Sequence, residues 1–173
     1  MINNFFIQLI ALLALAAFAG SFQSKTRTKI LLWQMLSMAF WVIHYSLLGA
    51  WSGTFLVFTN GMITLLFLYK NKNRWVSKPW VLFLALGISI LVTFFTWNKF
   101  YSVFALAGIM SMVLGKWQDD TKKIKLFGIL ACSFWILYDI FVGSWGGIIA
   151  EMVIMLSAII GLIRNKKSKT KLI

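Results

Sequence analysis

Proline, cysteine, histidine and acidic residues are scarce in this sequence. Its 173 residues include one proline, one cysteine, one histidine and four acidic side chains. A single cysteine excludes an intrachain disulfide, and one histidine with so few acids provides neither metal-ligand spacing nor a catalytic constellation. A Walker-type phosphate loop is also missing, so this chain alone cannot drive pumping with ATP. We therefore predict no enzyme activity, no catalytic residue, no cofactor and no metal.

Apolar residues dominate what is present. Hydrophobic residues make up 61% of the chain and charged residues 12%. A helix needs roughly 20 apolar residues to cross about 30 Å of hydrocarbon. The sequence therefore predicts an all-α membrane protein with seven transmembrane helices. The predicted spans are 4–22, 30–49, 53–69, 79–97, 100–115, 124–142 and 147–163.

The net charge of +13 is distributed unevenly across the predicted membrane. With seven spans, sixteen of seventeen basic residues lie on one side and only Lys99 on the other. The positive-inside rule then predicts an N-terminus outside and a C-terminus in the cytoplasm. Because this rule explains the charge, we expect no nucleic-acid binding, and we expect the basic face to contact anionic lipid. The sixteen residues are Lys25, Arg27, Lys29, Lys70, Lys72, Arg74, Lys78, Lys116, Lys122, Lys123, Lys125, Arg164, Lys166, Lys167, Lys169 and Lys171.

The sequence repeats itself after 94 positions. FWVIHYSLLGAWSG at 40–53 is followed by FWILYDIFVGSWGG at 134–147, and residues 30–74 align with 124–168 with 11 identities in 45 pairs. A three-helix unit ends on the side opposite to where it began, so two copies with the same orientation need one helix between them. The sequence predicts two parallel three-helix bundles, 1–74 and 99–173, joined by a linker helix within 75–98, a 3+1+3 plan. The second bundle ends in a basic cytoplasmic tail.

Two stretches carry a family resemblance. SFQSKTRTKILLWQMLSMAFWVIHYSLLGAWSG at 21–53 and GLIRNKK at 161–167 resemble the YgjV-type family of bacterial inner-membrane proteins. That family is similar to the SWEET sugar transporters and the PnuC vitamin transporters, which share the 3+1+3 plan. The resemblance implies this fold, a transport-like ancestry and a place in the cytoplasmic membrane of a bacterium, with no established substrate. The proline-glutamine pair that marks PQ-loop relatives is missing here.

Two of the four acidic residues lie inside predicted spans. Asp139 and Glu151 each lie six residues from Trp145, on opposite arms of the sixth-seventh hairpin, about 9 Å below its turn. Ionisable residues inside a membrane are rare and usually functional. Two nearby carboxylates repel, so we expect at least one to be protonated or to bridge a cation. For Asp139 the alternative is a side chain that snorkels to water.

Aromatic and polar residues supply the other candidates. His44 shares a helical stripe with Trp41, and Asp139 shares the corresponding stripe of the second copy with Trp135. An aromatic-walled cavity with a polar cap would suit a small polar solute that has an apolar part. The alternatives are an interhelical hydrogen bond for His44 and core packing for the two tryptophans. The predicted substrate-binding residues are Trp41, His44, Asn60, Trp135, Tyr138, Asp139 and Glu151.

Together these features predict a secondary transporter or facilitator. It would carry a small polar metabolite, such as a vitamin, nucleoside or sugar, by alternating access between the two bundles. The alternative is a non-transporting receptor, chaperone or regulatory subunit that retains the fold. The sequence leaves the substrate, the coupling ion and the oligomeric state open.

Overall fold

The computed structural model describes residues 4–170, with side chains over 6–164. Over that range the chain forms seven α-helices and no strand, so the predicted all-α class is confirmed. The basic tail predicted from Lys166, Lys167, Lys169 and Lys171 lies outside the residues whose side chains are described. The helices are α1 (Asn4–Gln23), α2 (Arg27–Leu47), α3 (Trp51–Leu68), α4 (Pro79–Phe95), α5 (Ser102–Trp117), α6 (Thr121–Val142) and α7 (Trp145–Thr170).

Five helices, namely α1, α2, α3, α6 and α7, are long and apolar enough to cross a membrane. The other two, α4 and α5, are apolar but shorter, with 17 and 16 residues. Each helix coincides with a predicted span, but the ends differ by a few residues. The largest consequence concerns α5 and α6, because α5 continues to Trp117 and α6 begins at Thr121. Lys116, which lay just beyond the end of the predicted span 100–115, is therefore helical.

Two helices end in the same backbone conformation. Gly49 follows α2 and Gly143 follows α6, and their φ angles are 70° and 71°. Glycine reaches this left-handed region without a steric penalty, which makes it the usual residue at such helix ends. The two glycines are 94 positions apart, so the shared turn falls at matching points of the sequence repeat.

The helices pack as a ring of six with α4 outside it. Within the ring, α1 contacts α2 and α7, α3 contacts α2 and α5, and α6 contacts α5 and α7. The remaining helix, α4, packs against α3 and α5. We call the interface between α1–α3 and α5–α7 the seam.

The interior of this ring combines a hydrophobic core with buried polar side chains, and its exterior is apolar. Large hydrophobic side chains are exposed on every helix, and on α4 Phe94 and Phe95 are 73% and 76% exposed. In contrast, Arg27, Lys116 and Asp139 are buried. An apolar surface with the ionisable side chains buried inside is what a lipid environment favours.

Gly161 allows α7 to approach α1 closely. A Cβ at this position would lie 2.6 Å from the carbonyl oxygen of Phe22 and 2.8 Å from Lys125 Nζ. Because the backbone oxygen moves only if α1 moves, Gly161→Ala should lower the free energy of unfolding by about 1–3 kcal/mol. Thermal unfolding in detergent, followed by tryptophan fluorescence, measures this loss.

The matched control is Gly87→Ala on α4. No atom lies within 4 Å of a Cβ built at Gly87. This variant should therefore unfold at or slightly above the wild-type midpoint, because alanine favours a helix interior over glycine. Equal losses in both variants would contradict the close packing of α7 on α1.

Candidate functional site

The connections between helices lie in two groups, one at each end of the ring. Arg27 begins α2, and it donates hydrogen bonds to the carbonyl oxygens of Phe67, Lys116 and Gln118. These contacts bring the α1–α2, α3–α4 and α5–α6 connections together at what we call the basic end. The α2–α3, α4–α5 and α6–α7 connections form the opposite end, where one cavity touches Gly49, Asn98 and Val142.

Three stacked aromatic rings cross the ring of helices. Tyr45 lies between Trp41 and Trp135, with centroid separations of 5.5 Å to each and interplanar angles of 20° and 21°. All three side chains are buried. Because Trp41 and Tyr45 belong to α2 and Trp135 to α6, the stack joins the two halves across the seam. Tyr45 was not among the predicted residues.

A narrow cavity, which we call the central cavity, lies beside this stack. Its walls leave room for only about one water molecule. Four predicted residues meet here: Trp41, Asn60, Trp135 and Glu151. The rest of the wall is mostly apolar and comprises Phe18, Met38, Tyr45, Val57 and Met112.

Glu151 supplies the only carboxylate in the described wall of the central cavity. It is 8% exposed, and its carboxyl interacts with the thiol of Cys132. It also interacts electrostatically with Asp139. Between residues 4 and 170, no three His, Cys, Asp or Glu side chains group closely enough to hold a metal ion.

Asp139 lies nearer the opposite end than the central cavity. Its Oδ1 accepts a hydrogen bond of 2.9 Å from the hydroxyl of Tyr45, whereas its Oδ2 has no hydrogen-bond partner among the described residues. The side chain is fully buried. Asp139 therefore does not extend to water, as the snorkelling alternative required.

His44 on α2, at the same level as Asp139, contacts both α1 and the α6–α7 connection. Its Nδ1 lies 2.8 Å from the carbonyl oxygen of Ile7, and its Nε2 lies 2.8 Å from Ser144 Oγ. Since a carbonyl only accepts, Nδ1 carries the proton and, in the neutral ring, Nε2 accepts from the serine hydroxyl. His44 does not line the central cavity. Its geometry is the interhelical hydrogen bond considered as the alternative to substrate binding.

Tyr138 also lies outside the central cavity. Its hydroxyl accepts a 3.0 Å hydrogen bond from the backbone N–H of Gly53 and lies 3.0 Å from Ser52 Oγ. Its ring lines the cavity at the opposite end, together with Asn98 and Tyr101. The structure thus separates the predicted residues into two layers, with Tyr138, His44 and Asp139 above the central cavity.

A second polar network closes the basic end. Besides the contacts of Arg27, Lys70 donates to the carbonyl oxygen of Trp117 at 2.6 Å and to Asp119 Oδ2 at 3.0 Å. Partial burial opposes ionisation of Asp119, but the hydrogen bond and charge of Lys70 outweigh it and lower the pKa of this carboxyl. Lys70 also lies 4.5 Å from the ring centroid of Trp117. These contacts join the end of α3 to the α5–α6 connection.

Lys116 is the functional candidate that the sequence analysis missed. It is 2% exposed, and its Nζ donates to Asn60 Oδ1 at 2.9 Å and to Thr64 Oγ1 at 2.8 Å. The sequence contained a signal, because Gly20–Gln23 aligns with Gly115–Gln118 and so pairs Lys116 with Ser21, inside the first predicted span. That register places Lys116 within a helix.

Comparison with known proteins gives one match. A family model described as Imp-YgjV, bacterial inner membrane protein, matches residues 5–169. No curated protein and no solved structure matches the chain. The similarity to the SWEET and PnuC transporters therefore stays a prediction.

Proposed function

The chain belongs to the Imp-YgjV family of bacterial inner membrane proteins, and from this premise we propose that it is a secondary transporter or facilitator of a small polar metabolite. One observation carries the proposal. The central cavity lies on the seam, touches both Trp41 and Trp135, and has polar networks on either side of it along the helices. A site between two movable halves, closed at both ends, is what alternating access requires. The proposal includes no enzyme activity.

The proposed architecture is the 3+1+3 plan, with the N-terminus outside and all seven helices crossing the membrane. Replacing α1, α2 and α3 by α5, α6 and α7, and the reverse, maps the helix contacts of the ring onto themselves. Tyr45 and Asp139 occupy matching repeat positions and touch each other, as residues near a two-fold axis do. The 17 residues of α4 span about 25 Å, a shortfall that local thinning of the bilayer can accommodate.

The two polar networks would serve as alternating gates, because most of their bonds cross the seam. At the opposite end, Tyr45 bonds Asp139, His44 bonds Ser144, and Gly53 bonds Tyr138. At the basic end, the crossing bonds run from Arg27 and Lys70 to residues 116–119. Each gate therefore depends on a few hydrogen bonds, worth about 0.5–3 kcal/mol apiece. Such a gate can open without unfolding either half.

Exposed basic residues at the basic end suit contact with anionic lipid. Lys25, Lys29, Lys72, Arg74 and Lys78 are exposed there. Under the proposed orientation they face the cytoplasmic leaflet, whose anionic headgroups attract such clusters.

Sided labelling of a cysteine in the central cavity tests alternating access without knowledge of the substrate. We would introduce Val57→Cys in a Cys132→Ser background, because Val57 lines the cavity and is 5% exposed. A membrane-impermeant, charged methanethiosulfonate should label it in right-side-out and in inside-out vesicles. Labelling from neither side or from one side only would contradict transport and favour a non-transporting role.

Three control positions calibrate this assay. Phe58→Cys, which replaces a side chain 56% exposed on the apolar exterior, should resist the charged reagent from both sides. Lys72→Cys at the basic end should react from the cytoplasmic side only, and Lys99→Cys at the opposite end from the outside only. The last two also test the proposed orientation of the chain.

A further inference from the structure

Opposite charges are buried on two helices of the same half, α5 and α7, without being paired. Glu151 on α7 lines the central cavity, and Lys116 on α5 lies behind its Asn60 wall. Both salt bridges among the described residues involve Asp119, so neither Glu151 nor Lys116 has an oppositely charged partner there. An ion buried without a counter-charge is destabilising. A ligand that brings the missing charges would remove that penalty.

Lys116 lines a small cavity of its own, separate from the one that Glu151 lines. This lysine cavity has room for at most about one water molecule and is also lined by Gln34 and Met112. The Oε1 of Gln34 is buried and has no hydrogen-bond partner within the described part of the chain. A half-turn of that amide would present its NH₂ group as a donor to an anion beside Lys116. The third contact of the Lys116 ammonium, the sulfur of Met38 at 3.7 Å, is a weak acceptor that an anion could replace.

Met112 separates the two cavities. Among the residues whose side chains the structure describes, it is the one that lines both of them. Its side chain is unbranched and flexible, so it can change rotamer without moving a helix. With Met112 displaced, a single space would run from Glu151, past Trp41 and Trp135, to Lys116.

We propose that the solute is a zwitterion with its two charges at opposite ends of an apolar or aromatic body. This inference rests on the proposed function and assigns its substrate class. The cationic end lies at Glu151, where the neighbouring tryptophan rings add cation–π attraction. The anionic end accepts hydrogen bonds from Lys116 and the Gln34 amide. The body packs against Trp41 and Trp135.

Three small molecules of matched shape distinguish this substrate class. The probe is 4-(aminomethyl)benzoate, and its single-charge analogues are 4-methylbenzoate and 4-methylbenzylamine. Isothermal titration calorimetry of the purified wild-type protein in detergent should show the zwitterion binding at least about tenfold more tightly than either analogue. Equal affinities, or no binding of the zwitterion, would overturn the proposal.

Two variants assign the ends of the ligand. The Glu151→Gln variant should bind the zwitterion no more tightly than 4-methylbenzoate. The Lys116→Gln variant should bind the zwitterion no more tightly than 4-methylbenzylamine. The exposed residues Asp120 and Lys99 supply the controls Asp120→Asn and Lys99→Gln, which should keep both preferences. If both site variants kept the wild-type preferences, the assignment of the two ligand ends to Glu151 and Lys116 would be wrong. If a variant fails to fold, the comparison of the three ligands on the wild-type protein still decides the substrate class.

The vesicle assay separates a failure of this inference from a failure of the proposed function. If Val57→Cys is labelled from both sides but the zwitterion shows no advantage, alternating access stands and the substrate class is wrong. If the zwitterion binds selectively but labelling is confined to one side, the site stands and transport is wrong.

Discussion

Replacing Arg27 with alanine should open the basic end and lower the free energy of unfolding by about 2–4 kcal/mol. The guanidinium is buried and donates to three carbonyl oxygens, two of which lie across the seam at Lys116 and Gln118. Its removal takes this donor from the carbonyl oxygens of Lys116 and Gln118, whereas the oxygen of Phe67 keeps the backbone N–H of Lys70. A gate weakened by about 2 kcal/mol shifts the open population roughly thirtyfold. Labelling of Val57→Cys from the basic end should therefore accelerate, and thermal unfolding should shift to lower temperature.

Arg27→Lys and Arg74→Ala are the controls for this prediction. Lysine keeps the charge but lacks the planar fork that reaches several carbonyl groups, so Arg27→Lys should fall between wild type and Arg27→Ala. Arg74 is exposed, and Arg74→Ala should match wild type. If Arg27→Ala proved as stable and as slowly labelled as Arg74→Ala, the closing role of Arg27 would be wrong.

Tyr45→Ala should have an effect of similar size at the opposite end. The substitution removes a fully buried ring stacked between Trp41 and Trp135, a loss that typically destabilises by about 3–5 kcal/mol. It also removes the hydroxyl donor to Asp139 Oδ1. We expect a lower unfolding temperature and faster labelling of Val57→Cys from the outside, with labelling from the basic end unaccelerated.

Tyr45→Phe separates the ring from the hydroxyl. It keeps the stack and leaves Asp139 without its donor, which should destabilise the protein by about 1–3 kcal/mol and still accelerate outside labelling. Tyr69→Ala, at a side chain 53% exposed, controls for the loss of a tyrosine elsewhere. If Tyr45→Phe left the rate of outside labelling of Val57→Cys unchanged, the Tyr45–Asp139 hydrogen bond would not be what holds this end closed.

Much of the helical frame could be predicted from the sequence. Apolar runs locate all seven helices because each must present a lipid-compatible surface along most of its length. Gly49 and Gly143 occupy matching positions of the sequence repeat. They end two helices with nearly the same φ angle. The helix ends were less predictable. A hydropathy scale scores Lys116 as a polar residue and so ends the helix before it, because the scale contains no information about burial against neighbouring helices.

The candidate site could be predicted only in part. Trp41 and Trp135 both line one cavity, and Glu151 lines it too. Spacing along a helix fixes the direction of a side chain but not its height relative to a neighbouring helix. His44 and Tyr138 therefore bond to residues at the opposite end rather than facing the cavity. Tyr45 was missed because its importance depends on stacking with a ring from another helix.

The most direct test of two rocking halves measures distances across the seam at both ends. Spin labels at positions 29 and 123 report the basic end, and labels at 47 and 141 report the opposite end. Each pair lies 94 positions apart, on exposed residues of α2 and α6. In a Cys132→Ser background, pulsed electron resonance should show that Arg27→Ala lengthens the 29–123 distance and shortens the 47–141 distance, while Tyr45→Ala does the reverse. Distances that stay unchanged, or that lengthen together at both ends in both variants, would contradict alternating access.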